Sequence, residues 1–223
     1  MSPVHEQSKA ELADSFEREL APKPLQRVVE TFKRQHARGV FPGGQLAVWK
    51  RGVLVIDEAV GVARGFRRGQ PGTDDETLRL FTRETRSCVF SAGKPLVAVA
   101  IALLEDGRHL DVGQPVARFW PGFAQAGKAE ITVLDVLTHR SGLYVPEVER
   151  DWRHFGNWDL ICERIERAAP AFARGTFAYQ PMGFGRILGE VVRRVTGSTI
   201  DRFLEEEIFR PAGIERRSET GSA

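Results

Sequence analysis

Two β-type runs, Gln45 to Trp49 and Val53 to Val62, stand near the front of a chain that reads as helical almost everywhere after them. A turn at Lys50-Arg51-Gly52 joins them into a hairpin. Two strands alone are marginal in water and need further strands, or a helix across one face, to become stable. A helix precedes them: Leu25, Val28, Val29 and Phe32 share one face of a segment that starts near Pro24, runs to about Arg38 and is broken by Phe41-Pro42-Gly43-Gly44. Leu80-Phe81 and Cys88-Val89-Phe90 add only short extended pieces. The pattern is α+β, with two clear strands and at least five helices. Either the hairpin packs on helices alone, or its missing strands belong to sequence that is not here.

The helices are marked by periodicity and punctuation. Leu96, Val97, Ala100, Ile101, Leu103 and Leu104 recur at helical spacing and stop at Asp106-Gly107. Thr132 with Asp135 reads as a capping box before Val133, Leu134, Val136 and Leu137, an element ended by Gly142. Leu160 to Ala168 forms another helix, stopped at Pro170. Phe184, Ile187, Leu188, Val191, Val192 and Val195 make a strong apolar stripe ending at Gly197. Ser198 with Asp201 reads as a second capping box, opening a helix through Ile200, Phe203, Leu204 and Ile208. No internal repeat or low-complexity segment is present.

Chemistry enters at Ser91-Ala92-Gly93-Lys94, where an apolar helix begins. Positions i and i+3 share a helix face, with Cβ atoms about 5–6 Å apart. A lysine amine there reaches the serine oxygen, the arrangement an activated nucleophile requires. Unpaired N–H groups and the positive dipole end at a helix N-terminus favour negative charge, and so favour an alkoxide or an oxyanion. The same field, with burial, lowers the pKa of a lysine. Pro95 fits the first turn, where its missing N–H costs little. The bland alternative is a capping Ser91 beside a solvated Lys94. The tetrapeptide by itself leaves both open.

Composition removes several other classes. With 32 basic and 30 acidic residues the formal net charge is +2, which gives no electrostatic case for nucleic acid or an anionic membrane. The densest basic stretch, Arg64 to Arg68, is bounded by glycines and reads as a solvated loop. The first residues are polar, without the apolar core of a signal peptide, and no run of about 18 apolar residues occurs. The expected location is cytoplasmic, with no membrane partner. Cys88 and Cys162 are too few for a disulfide framework. Cys88, in an apolar stretch, reads as core. His109 and His154 stand apart from any ligand-spaced cluster, so no metal or cofactor is expected. No G-x-S-x-G elbow surrounds any serine, which argues against an α/β-hydrolase. His139 and Ser141 could suggest a second nucleophile, but they precede Gly142 at a helix end and read as a structural turn.

Five ordered stretches carry a family resemblance. Val89-Phe90-Ser91-Ala92-Gly93-Lys94-Pro95 resembles the active-serine motif of the serine β-lactamase and penicillin-binding-protein superfamily, in particular its class C β-lactamase-like branch. That branch includes esterases, D-amino-acid peptidases and acyltransferases. Leu110 to Val116 resembles the segment after the serine helix. Ile131-Thr132-Val133 through Leu137-Thr138-His139-Arg140-Ser141-Gly142-Leu143 resembles its "LLTHTSGL" signature. Phe177-Ala178-Tyr179 with Gly183 to Gly189 resembles the stretch holding the tyrosine motif. Ile208 to Ile214 resembles the end of the next helix. The resemblance implies a β-lactamase/transpeptidase-like fold and a catalytic set of Ser91 as acylated nucleophile, Lys94 as proton relay and Tyr179 as base. It implies a small-molecule ester or amide as substrate. The backbone N–H of Ser91 would form half of an oxyanion hole.

Two departures qualify it. The tyrosine motif usually continues Tyr-x-Asn, or Tyr-x-Ser or Ala in esterase-like members; here it reads Tyr179-Gln180-Pro181. Proline offers neither a side-chain hydrogen bond nor a backbone N–H, which leans toward simple esters, although Gln180 could partly substitute. In addition, nothing after Ile214 resembles the family's remaining strands or its third motif. The expectation is therefore a polar segment over residues 1–20, a partial β-lactamase-related domain over 21–214 with its C-terminal strands missing, and a polar tail over 215–223. A working carboxylesterase-like hydrolase is the first reading. A truncated, inactive remnant or non-enzymatic binding protein of the same fold is the alternative. Unpaired sheet edges predict self-association.

Overall fold

The computed structural model describes residues 22–64, 78–150, 152–154 and 156–214. The polar segment of residues 1–20, the polar tail of 215–223 and all of the basic loop after Arg64 lie outside the described residues. The chain divides into two compact units, Met1–Cys88 and Val89–Ala223.

In the first unit, helix α1 (Pro22–Ala37) is followed by β1 (Gly43–Lys50), β2 (Val53–Arg64) and a two-residue strand β3 (Arg79–Leu80). The sheet order is β1-β2-β3, all antiparallel. Arg51 and Gly52, with φ of 47° and 82°, form the two-residue hairpin loop. Both angles are positive, as the tight turns matching strand twist require. A register shift between Val48 and Trp49 marks a bulge. Gly61, at φ 78°, leaves no room for a side chain: a Cβ would lie 2.2 Å from the Pro42 carbonyl oxygen. Helix α1 lays Phe32 against Phe41, ring centroids 5.4 Å apart, and Lys33 pairs with Glu58 of β2 at 2.9 Å. The hairpin thus gains both a third strand and a helical cover. Gln45 on β1 donates its amide to the Thr82 carbonyl at 2.7 Å, tying the segment after β3 to the sheet.

The second unit is helical. A 3-10 turn (Phe90–Gly93) runs into α2 (Lys94–Asp106), followed by the short α3 (Val133–Leu137) and α4 (Pro146–Glu149), then α5 (Trp158–Arg167), α6 (Gly183–Thr196) and α7 (Ile200–Leu204), which continues as a π-turn through Phe209. Helix α6 is the central element. Phe184, Ile187, Leu188, Val191 and Val192 are buried, joining Ala100, Ile101 and Leu104 of α2, Val133 and Val136 of α3, and Ile161 and Ile165 of α5. Burying a Leu or Ile side chain stabilises by about 1.5–3 kcal/mol, so this stripe sets the unit. Glu190 faces the same core, fully buried, and accepts hydrogen bonds from Trp158, Arg193 and Arg194. Burial would raise its pKa, but those donors outweigh it and hold the carboxyl below its ordinary value.

Three local expectations change. Ser198 and Asp201 form no capping box: α7 starts one residue later, with Thr199 at the N-cap and no side-chain cap. The helix after Thr132 ends at Leu137 rather than at Gly142, because His139 turns left-handed at φ 56°. Cys88 is exposed, not core, since the residues around it form no strand and the neighbouring Val89 and Phe90 also face solvent. Cys162 is buried, and its thiol is pushed up to about 12 by burial and by Glu190. Among the described residues, no helix is long and apolar enough to cross a membrane.

Candidate active site

Ser91 does not cap α2. It sits in the 3-10 turn just ahead of it; Gly93 occupies the N-cap without a side-chain bond, and Pro95 falls in the first turn as expected. Phe90, at φ 45°, turns the chain sharply before the serine. The i, i+3 relation survives in this geometry: Lys94 Nζ donates to Ser91 Oγ at 3.2 Å. Nζ also donates to the backbone carbonyl of Pro181 at 2.7 Å. The proline that cannot offer a side-chain hydrogen bond therefore offers its main-chain oxygen.

Tyr179 comes from the segment entering α6, 88 positions along the chain. Its Oη lies 2.7 Å from Ser91 Oγ. With both hydroxyls neutral the phenol donates to the serine; once the phenol ionises, the serine donates to it. Lys94 Nζ stands 5.0 Å from the centre of the Tyr179 ring. Hydrogen bonding to Ser91 and then to Lys94 pulls the phenol below its ordinary pKa, with the lysine charge adding to the effect. Ser91, Lys94 and Tyr179, the three residues singled out from sequence, are thus brought together at a solvent-exposed edge of the helical unit.

Two further residues hold this trio, and sequence reasoning assigned neither to the site. Glu149, at the end of α4, accepts the backbone N–H groups of Met182 at 2.7 Å and Gly183 at 3.0 Å. No local side chain caps α6, so Glu149 serves as a cap supplied from another element. A Cβ on Gly183 would come within 2.7 Å of its Oε1, so a larger residue there would push the carboxylate aside. Burial raises the Glu149 pKa, against the opposing pull of those two N–H groups and of Lys94. His139 lies beside the phenol, ring centroids 4.8 Å apart, and its Nδ1 accepts the Gln180 N–H at 3.2 Å. Burial, then the Lys94 charge, lowers its pKa. Glu149 carries no sequence signal, because its partners lie more than thirty positions away. His139 was visible in the turn motif, but its contacts were not.

Two other candidates are buried. Ser141 is buried and its Oγ accepts the Leu143 N–H at 3.2 Å, closing the turn. Gln180 is also buried, and its Oε1 has no partner; it does not face solvent as a stand-in for asparagine would.

This fold with a serine, lysine and tyrosine so arranged defines a class, and comparison with known proteins identifies it. Residues 28–218 match the Beta-lactamase family model, and the chain belongs to that family. It is 32% identical over 189 residues to the esterase/beta-lactamase LipL of Mycobacterium tuberculosis, covering 82% of this chain and 40% of that protein. Among solved structures it resembles a penicillin-binding protein homolog from Caulobacter crescentus, at 34% identity and a TM-score of 0.73, covering 87% of this chain and 50% of that one. A family VIII carboxylesterase aligns at 29% identity and a TM-score of 0.72, covering 86% and 50%. The chain spans about half the length of the relatives it matches.

Proposed function

We propose that this protein is a serine hydrolase that forms an acyl-enzyme on Ser91 and acts on small carboxylic esters. The observation that carries the reading is the single serine oxygen approached by Tyr179 Oη at 2.7 Å and by Lys94 Nζ at 3.2 Å. The Lys94 ammonium favours the phenolate form of Tyr179. The phenolate takes the Ser91 proton as Oγ attacks the ester carbonyl carbon, and the carbonyl electrons move onto oxygen. The Ser91 backbone N–H donates to that oxyanion, a contact worth a few kcal/mol when well aimed. Collapse expels the alcohol, which leaves with the proton held by Tyr179. A water then attacks the acyl carbonyl, gives its proton to the phenolate, and releases the acid as Ser91 recovers its proton.

The preference for esters over amides rests on Pro181. A substrate amide finds no side-chain partner at the position where relatives place asparagine, whereas an ester needs none. The named similarity to an esterase/beta-lactamase and a carboxylesterase supports the same choice. The test is hydrolysis of a short-chain p-nitrophenyl ester, together with labelling by a fluorophosphonate probe, in wild type and Ser91→Ala. Wild type is expected to turn over ester far faster than the β-lactam nitrocefin, and Ser91→Ala to lose both ester turnover and labelling. Tyr179→Phe should slow labelling roughly 10²–10⁴-fold, the usual range for loss of a general base. Equal rates in wild type and Ser91→Ala would eliminate the Ser91 mechanism, and equal rates no faster than buffer would turn the reading to an inactive remnant or a non-enzymatic binding protein of the same fold.

A further inference from the structure

We propose that His139 is a positioning residue for Tyr179, holding the backbone N–H groups of the residues just before and just after the tyrosine and so fixing its phenol against Ser91. The proposal rests on the reading of Tyr179 as the base. The Ala178 N–H donates to the His139 carbonyl at 2.9 Å, and the Gln180 N–H donates to its Nδ1 at 3.2 Å. Tyr179 is the residue between them. One histidine therefore holds the backbone of both chain neighbours of Tyr179 while its ring packs on the phenol ring, centroids 4.8 Å apart.

The backbone of His139 serves the same end. At φ 56° it occupies the left-handed region, where non-glycine residues are uncommon. Residues persist there when their surroundings over-determine them, and such positions gather at functional sites. Here the surroundings are the Tyr179 segment on one side and Phe184 of α6, at 5.0 Å, on the other. Phe177 meets the ring edge-on at 6.2 Å.

The grip requires a particular protonation state. Nδ1 accepts only in the neutral ring, with the proton on Nε2. Among the described residues, the titratable groups facing the imidazole are Lys94 from α2 and Tyr179 from the segment before α6, and the other packed rings are phenylalanines. Burial and the Lys94 cation both disfavour a second proton on His139, and the Gln180 N–H at Nδ1 places the neutral ring's proton on Nε2.

Asparagine and leucine separate this role from a purely structural one. Asparagine Oδ1 is the same number of bonds from Cα as histidine Nδ1, and asparagine tolerates the left-handed backbone. Leucine offers bulk there but no acceptor. The chain has two tyrosines, so in a Tyr144→Phe background the absorbance at 295 nm against pH reports Tyr179 alone. His139→Asn is expected to keep the lowered phenol titration and near wild-type fluorophosphonate labelling of Ser91. His139→Leu is expected to return the titration toward about 10 and to slow labelling roughly 10–100-fold, as small misplacements do. Should the leucine variant fail to fold, His139→Gly keeps the left-handed backbone, deletes the acceptor and takes its place. A leucine or glycine variant that titrates and labels like wild type would overturn the proposal, as would asparagine and leucine variants equally impaired. A wild-type chain that is never labelled would sink the Ser91 mechanism instead, and the phenol titration would still decide the role of His139.

Discussion

Lys94 shows how much of the site depends on single atoms. Its ammonium touches a hydroxyl, a main-chain carbonyl and the face of a phenol, and it biases the protonation of Tyr179, His139 and Glu149. The signs differ. The cation stabilises the ionised phenol and carboxylate but penalises a charged imidazole. For His139 this carries a consequence for stability. Its folded pKa lies below the ordinary value of 6.5, so the unfolded chain binds the proton more readily between the two values. Stability from this residue is therefore complete above about pH 6.5 and falls as pH drops through the window below it. Urea unfolding of wild type and His139→Asn from pH 5 to pH 8 should show wild type losing stability more steeply on the acidic side. Parallel curves would contradict the assignment.

At the scale of elements, the tyrosine is carried by a loop that α3 and its following turn hold in place. Backbone N–H groups of Gly175 and Ala178 donate to the carbonyls of Arg140 and His139, and those of Ala171 and Phe172 to Gly142. Helix α3 has only five residues, so its capping box matters more than it would in a long helix. Thr132 Oγ1 accepts the Asp135 N–H at 3.1 Å, and Asp135 accepts the Thr132 N–H at 2.9 Å and Arg174 Nε at 2.7 Å. Asp135→Ala removes both the box and the tie to the tyrosine loop. We expect a loss of about 1 kcal/mol or somewhat more, read as a Tm lower by roughly 2–4 °C, with slower Ser91 labelling. An unchanged Tm would show that the loop is held by its backbone bonds alone. These elements also separate what was legible in the sequence from what was not. The box and the Ser91–Lys94 pair were readable because their partners lie three residues apart. Tyr179 was reached only through family resemblance, since nothing local relates it to a serine 88 positions earlier. Glu149 and the grip of His139 were unreadable for the same reason. Ser198 and Asp201 have the spacing of a box, but the helix starts at Ile200, so Asp201 falls one position too early. Cys88 looked like core because its neighbours are apolar, yet Phe90 is 85% exposed.

On the scale of the whole molecule, the α+β architecture followed from the order of hairpin and helices, while the third strand was too short to announce itself as one. The sheet order leaves the outer edge of β1 without a strand among the described residues. Trp49 on that strand is 65% exposed, and an unprotected edge with an apolar side chain invites pairing with another chain. Size-exclusion chromatography with light scattering should give a mass above the monomer that falls when Trp49→Lys places a charge on the edge. A wild-type monomer would contradict this. The Pro181 contact has a different kind of consequence. Every amino acid carries a main-chain carbonyl, so the acceptor that anchors Lys94 has no codon of its own. A missense change at position 181 replaces the side chain but cannot delete that atom. The lysine's anchor is thereby uncoupled from the identity of the side chain at that position.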